Sequence, residues 1–258
     1  MKSHPTAIVH PEAKIAQSVT IGPYTIIGAG VEIGEDCEVM SHAVINGLTK
    51  IGARNRIYPY ASLGLDPQDL KYQGEPTRLE IGDDNVLREF ITLHRGTARG
   101  GGVTSIGNHN LLMAYTHIAH DCHLGDYVIM SNGASLAGHV EIGDYAVLGA
   151  FCGIHQFCRI GAYSFLGAYT AVNKDVLPYS RATSDRPMNV LGTNRIHLER
   201  AGLNKQDIEE LEGAFRLLCR SKLNTTQAVE TIQSRQFQSP HVQTLLEFIR
   251  TSERGVAK

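Results

Sequence analysis

The chain has 258 residues, of which 42% are hydrophobic and 19% charged, and its net charge is −2. That composition excludes a disordered chain, and without any Lys/Arg block it disfavours a nucleic-acid binder. No apolar run reaches 18 residues, the start Met1-Lys2-Ser3-His4-Pro5 lacks a signal-peptide stretch, and five cysteines is an odd number. These features point away from an integral membrane segment and a disulfide scaffold, and the expected setting is the reducing cytoplasm.

From the N-terminus onward the dominant signal is a period of six. Stepping by six from Val9 to Leu63 meets ten apolar residues in a row. The same step meets three more from Ile81 to Leu93, then twelve from Ile106 to Val172. A period of six matches neither a helix nor a plain strand. It suits short strands joined by sharp bends, three to a coil, so that each strand sends one large side chain inward. The predicted fold is an all-β solenoid, a parallel β-helix of about eight coils and roughly 40 Å long at about 4.8 Å per coil. Glycine often follows the hexad residue, as at Gly22, Gly125 and Gly143, where bends with unusual dihedrals would want it. Two positions before the hexad residue the chain is small, and four of the five cysteines, Cys37, Cys122, Cys152 and Cys158, fall there as small buried hydrophobes.

Two breaks in the hexads read as insertions between coils, near 64–78 (GLDPQDLKYQGEPTR) and near 94–105, the latter holding Gly100-Gly101-Gly102. Loops that project from a rigid scaffold commonly carry function, and Asp69 and Lys71 beside Tyr72 mark the first as a candidate. The second contains no GxxxxGK[ST] phosphate cradle. The predicted organisation is a β-helix over 1–190 and a C-terminal helical domain over 191–258. Asn204 caps one helix, a second starts at Thr225 or Thr226, and Ser239-Pro240 opens a third.

Four of the twelve histidines stand out. On an 18-residue coil, His120, His139 and His155 fall near one corner of three successive coils, with His117 on the same coil as His120. Gly138 lies one coil beyond His120 and Gln156 two coils beyond. None of the four histidines occupies the inward slot. A solvated surface cluster, a metal site and a general base are the three readings. Against zinc, no two histidines stand five apart, and the site would need three or four neutral ligands in tetrahedral geometry, so no metal is expected. For general-base catalysis, Asp121 can orient the His120 imidazole and the Gly138 N–H can serve as an oxyanion donor. No Ser or Cys nucleophile aligns with them, which suggests direct transfer.

The hexads, the loop DLKYQGEPT, the runs THIAHDC, AGH and IHQFC, and the helical tail resemble the UDP-N-acetylglucosamine O-acyltransferases of lipid A biosynthesis over nearly the whole chain. The resemblance implies a left-handed β-helix and a homotrimer. It implies transfer of a 3-hydroxyacyl chain from acyl carrier protein to the sugar 3-hydroxyl of UDP-N-acetylglucosamine, with no cofactor. Carried over by motif, His120 looks like the general base, Asp121 its orienting acid and Gly138 the oxyanion donor. Asp69 and Lys71 resemble the residues holding the sugar-phosphate part, and His117, His139, His155 and Gln156 resemble substrate contacts. Within NRIHLERAG, Asn194 and Arg200 resemble nucleotide contacts, while Ala201 and Ile196 depart from an arginine and an acid often found there. Ala168 resembles the floor of the acyl groove, presented by a neighbouring subunit. Two alternatives remain: a related hexapeptide acyltransferase acting on a nucleotide sugar with a 3-amino acceptor, and a solenoid without chemistry. The aligned His120, Gly138 and Gln156 argue against the second.

Overall fold

The computed structural model describes residues 1–183 and 188–258; residues 184–187 of the expected first domain lie outside them. From Lys2 to Val172, strands of mostly two residues pass in strict rotation through three sheets, each strand pairing in parallel with the one a coil further on. The result is a left-handed parallel β-helix with eight complete coils and part of a ninth among the described residues. From Thr20–Ile21 onward the second residue of each two-residue strand is buried in the core and the first faces out, as at His117–Ile118. The hexad residues Ile27, Ile57, Leu87, Leu112 and Leu136 are completely enclosed. Fully burying each contributes about 1.5–3 kcal/mol, and stacking such residues coil on coil gives the solenoid one continuous core.

Register fixes the coil length. Ile118 pairs with Leu136 and Leu136 with Ile154, eighteen residues apart. Where the first insertion intervenes, Leu63 pairs with Leu93, and past the second, Leu93 pairs with Ile118. The insertions are shorter than the sequence suggests. Ser62–Leu65, Arg78–Ile81 and Val103–Ile106 are four-residue strands, and Leu65 still pairs with His94. Their backbone groups would otherwise be left unpaired, so the ladders run into the insertions and shorten them.

The expected role of the glycines needs correction. Positive φ falls instead on non-glycine residues three positions after the hexad residue: Asp121 (59°), His139 (62°) and Phe157 (62°) on one corner, Tyr127, Tyr145 and Tyr163 on another. Each such residue costs about 1–2 kcal/mol in the left-handed region, and stacking offsets part of that. Tyr127 and Tyr145 rings lie 4.7 Å apart, and His139 and Phe157 4.4 Å apart. The glycines serve close approach between coils. A Cβ at Gly143 would come 2.6 Å from Ala162 N, and one at Gly22 2.8 Å from Ser41 N.

Strand Ser180–Ala182 adds to the first sheet and pairs antiparallel with Val190–Thr193. The expected division at 190/191 therefore falls inside a strand. Four helices follow: α1 (Arg195–Arg200), α2 (Lys205–Cys219), α3 (Thr225–Ser234) and α4 (Pro240–Arg250). Asn204, Asn224 and Ser239 cap α2, α3 and α4, each side chain accepting a backbone N–H. Arg159 ties α4 to the solenoid, lying 4.4 Å from the Phe248 ring and donating to the Thr251 carbonyl.

Candidate active site

Three neighbouring rows run along one corner of the prism: Ala119–Ala137–His155, His120–Gly138–Gln156 and Asp121–His139–Phe157. The strand His117–Ile118 delivers His120 to this corner, and the turn at Asp121 folds its carboxylate back beneath the ring. His120 Nδ1 lies 2.8 Å from Asp121 Oδ2; the Asp121 side chain is 0% exposed and that of His120 15%. A carboxylate only accepts, so the proton between them sits on Nδ1, and in the neutral imidazole Nε2 is then the nitrogen with the lone pair. The ring lies against Gly138, where a Cβ would come 2.6 Å from His120 Cε1 and 2.9 Å from Nε2. Among the described residues the buried Gly138 N–H has no acceptor. The structure therefore brings a free imidazole nitrogen and an unpaired backbone donor together.

His139 meets His120 edge-on, ring centres 5.2 Å apart, with its Nε2 3.8 Å from Asp121 Oδ2. His117 points outward from its strand, its Nδ1 2.7 Å from Thr92 Oγ1 on the adjacent strand of the same sheet. Burial is the main cause holding both imidazoles below their ordinary value. His155, exposed, lies on the same face as His117, and an open, mainly apolar groove of about 590 Å³ runs between them. The outward row that floors this groove shrinks to Ser135, Gly153 and Ala171. Gln156 is exposed at the end of the His120 row.

The insertions close over the corner. Asp69, half-buried, accepts the Lys71 backbone N–H and lies near enough to raise the His139 imidazole slightly against burial. The Lys71 side chain is exposed. Arg95 pins the first loop by donating to the Gly64 carbonyl, the Tyr72 hydroxyl and Asp66. Sequence reasoning missed Arg95, Thr97 and His94. His94 is buried, meets His117 edge-on at 5.4 Å, is pushed down by burial, and its Nδ1 has no partner among the described residues. All three belong to the run His94-Arg95-Gly96-Thr97, whose density of polar residues beside the hexad Leu93 was the available signal.

Other expected site residues stand elsewhere in the chain. Asn194 leads into α1, and Arg200 ends it, exposed. That helix packs through His197 against the Tyr145 carbonyl, on the tyrosine corner rather than the His139 corner. Ala168, exposed, precedes Tyr169 on the third corner, which carries the Phe151–Tyr169 stack.

His120, Asp121 and His139 offer ligand atoms within 4.8 Å of one another, the arrangement nearest to a metal site among the described residues. Both Asp121 oxygens are already engaged: the Thr97 N–H donates to Oδ1, while Thr97 Oγ1 and His120 donate to Oδ2. Three donors converging on one carboxylate suit an acid that orients its neighbours. Cys122 lies two residues from His120, but its thiol donates to the Ala137 carbonyl and burial pushes it up to about 12. It stays a thiol at neutral pH and offers no nucleophile.

Two family models match the chain. One, described as UDP N-acetylglucosamine O-acyltransferase, domain 2, covers residues 175–257. The other, bacterial transferase hexapeptide (six repeats), covers residues 12–47 and 104–138. The chain is 47% identical over 255 residues to the acyl-[acyl-carrier-protein]–UDP-N-acetylglucosamine O-acyltransferase of Thermodesulfovibrio yellowstonii, spanning 99% of this chain and 98% of that protein. Its identity to the enzyme of the same name from Saccharophagus degradans is 48%, over the same shares. The fold superposes on LpxA from Acinetobacter baumannii with a TM-score of 0.95 at 45% identity, covering 99% of both chains. It superposes on the UDP-N-acetylglucosamine acyltransferase of Bacteroides fragilis with a TM-score of 0.96 at 40% identity, again covering 99% of each.

Proposed function

This chain belongs to the UDP-N-acetylglucosamine O-acyltransferase family, and from that premise we propose how its own residues carry the reaction. The enzyme transfers an acyl chain from acyl carrier protein to UDP-N-acetylglucosamine, the first step of lipid A biosynthesis. The acyl chain is a 3-hydroxyacyl group and the acceptor is the sugar 3-hydroxyl. His120 Nε2 takes the hydroxyl proton as the sugar oxygen attacks the thioester carbonyl. The Gly138 N–H stabilises the developing oxyanion. The C–O bond forms, the C–S bond breaks, and the imidazolium returns its proton to the carrier thiolate. One observation carries this reading: Nε2 is free because Nδ1 is held by a fully buried Asp121, and the ring lies directly over Gly138. Transfer is direct, in keeping with the buried Cys122 thiol, and it uses no metal, in keeping with an Asp121 carboxylate already engaged by Thr97 and His120.

The apolar groove between His117 and His155 is suited to the acyl chain, since Ser135, Gly153 and Ala171 leave it recessed. Asp69 and Lys71 hold the sugar-phosphate part, with His117, His139, His155 and Gln156 as further contacts. Asn194 and Arg200 contact the nucleotide from a neighbouring subunit, and Ala168 of another copy floors the acyl groove. Their places on the other two corners support this. So does an outward apolar row, Val86, Leu111, Ile129, Val147 and Phe165, on the first sheet. A row of that kind marks a subunit contact, and a homotrimer presents each corner to a neighbour. No helix of the described residues is long and apolar enough to cross a membrane, and all five cysteines are free, in keeping with work in the cytoplasm.

Mass spectrometry of products from a panel of 3-hydroxyacyl carrier proteins and UDP-sugars tests the reading. The 3-O-acyl product of UDP-N-acetylglucosamine is expected, and chelator leaves its rate unchanged. Preferential acylation of a 3-amino UDP-sugar would assign the chain to the sister chemistry instead.

A further inference from the structure

The second insertion does more than project from the solenoid. Its first turn, the 3-10 helix Ala98–Gly100 with Thr97 as its cap, folds down onto the Asp121 carboxylate. The Thr97 N–H donates to Oδ1 at 2.8 Å, and the Thr97 hydroxyl donates to Oδ2 at 2.6 Å. The loop approaches so closely that a Cβ at Gly100 would stand 2.1 Å from Asp121 Cγ, and one at Gly96 2.8 Å from Oδ1. From the solenoid side, Thr104 Oγ1 accepts the Asp121 N–H. Asp121 is thereby sealed from solvent, and Thr97 is itself buried.

We propose that Thr97 is a positioning residue for the reaction, holding the Asp121 carboxylate as a fixed double acceptor so that His120 carries its proton on Nδ1 and presents Nε2 bare. The inference rests on the reading of His120 as base. Its logic is one of hydrogen-bond supply. Oδ2 receives the Thr97 hydroxyl proton on one side, and among the described residues the only other donor within hydrogen-bond reach of it is His120 Nδ1–H, at 2.8 Å. An acceptor-only oxygen between two groups requires both of them to donate. The Thr97 hydroxyl in turn accepts the Gly100 N–H at 3.2 Å, so its single proton is directed at the carboxylate. Without that hydroxyl the carboxylate can rotate toward His139, whose Nε2 waits 3.8 Å from Oδ2, and the His120 tautomer is no longer fixed. The bland alternative is that Thr97 only caps its short helix. A cap alone has no means of setting the tautomer of His120.

The test uses the full-length enzyme labelled with 15N-histidine. Solid-state NMR reads the tautomer of each imidazole, and the His120 signals are identified by their loss in His120→Asn. The wild type is expected to show His120 protonated on Nδ1. Thr97→Val, which keeps the shape and removes the hydroxyl, is expected to give mixed tautomers. It should also show a ten- to hundredfold fall in kcat, about what one hydrogen bond to a charged group supplies, with KM for both substrates within about twofold. Thr97→Ser restores the Nδ1–H form and most of kcat. If circular dichroism shows that Thr97→Val fails to fold, Thr97→Cys, a weaker donor of similar size, carries the same comparison. An unmixed Nδ1–H signal with kcat unchanged in the hydroxyl-free variant overturns the proposal. A fully active His120→Asn enzyme overturns the reading of His120 instead, whatever Thr97 does.

Discussion

Gly138→Ala is the substitution that probes the site most finely. Gly138 has no positive φ, so alanine meets no backbone obstacle. Its Cβ, however, would lie 2.6 Å from His120 Cε1, 2.9 Å from Nε2 and 3.1 Å from Nδ1. Carbon contacts are comfortable at about 3.5–4.0 Å, so the ring must retreat by about 1 Å. It cannot retreat while keeping its 2.8 Å contact with Asp121, because that carboxylate is fixed by Thr97 and sealed by Gly96 and Gly100. A misplacement of about 1 Å can cost about 10²-fold in rate. We expect kcat to fall about a hundredfold, with KM for UDP-N-acetylglucosamine within about threefold and little change in Tm. Steady-state kinetics on purified enzyme with acyl carrier protein thioester measures this. A kcat within twofold of wild type would refute the placement of the base against Gly138.

Lys71→Ala and Arg200→Ala should each raise KM for the UDP-sugar about tenfold, since each loses a charge-assisted bond to phosphate; unchanged KM in both would remove the assignment. Ala168→Met should shift preference toward shorter 3-hydroxyacyl donors by about tenfold or more, one methylene being worth about 10–200-fold. An unchanged ranking of donors would show that Ala168 is only a bend. Burial holds His94, His117 and His139 below their ordinary value near 6.5, so the unfolded chain takes up protons that the folded one refuses. Their contribution to stability is present above that value and lost as pH falls below it. Tm should therefore drop between pH 7.5 and 5.5, and His94→Gln should flatten the drop; equal slopes would show that His94 is not responsible.

The solenoid was legible because its signal is a strict one: from Ile106 to Val172 each hexad residue had to point inward, and each does. Coil arithmetic placed Gly138 and Gln156 in the row of His120 for the same reason. Carried through residue by residue, the same arithmetic splits the histidines between two rows. His139 follows Asp121 by one full coil, so it joins the acid row and stacks on Phe157, while His155 joins the groove face with His117. The buried asparagines were also missed. Asn55, Asn85 and Asn110 occupy the small corner slot and pass hydrogen bonds from coil to coil, a use of that slot that apolar patterning cannot show. Positive φ on tyrosine, phenylalanine and histidine was hidden because glycine is the residue that usually signals it. Thr97, Arg95 and His94 became visible only once the loop that carries them was folded back on the site.

The central claim is that His120 removes the acceptor proton in a single direct transfer. Single-turnover kinetics of His120→Ala, with product followed by mass spectrometry and folding checked by circular dichroism, tests it most directly. The predicted result is a folded enzyme that forms 3-O-acyl product about 10²–10⁴ times more slowly than wild type, with no acylated protein at any time point. A folded His120→Ala enzyme turning over at the wild-type rate, or a wild-type enzyme that accumulates acyl groups on its own side chains, would contradict it.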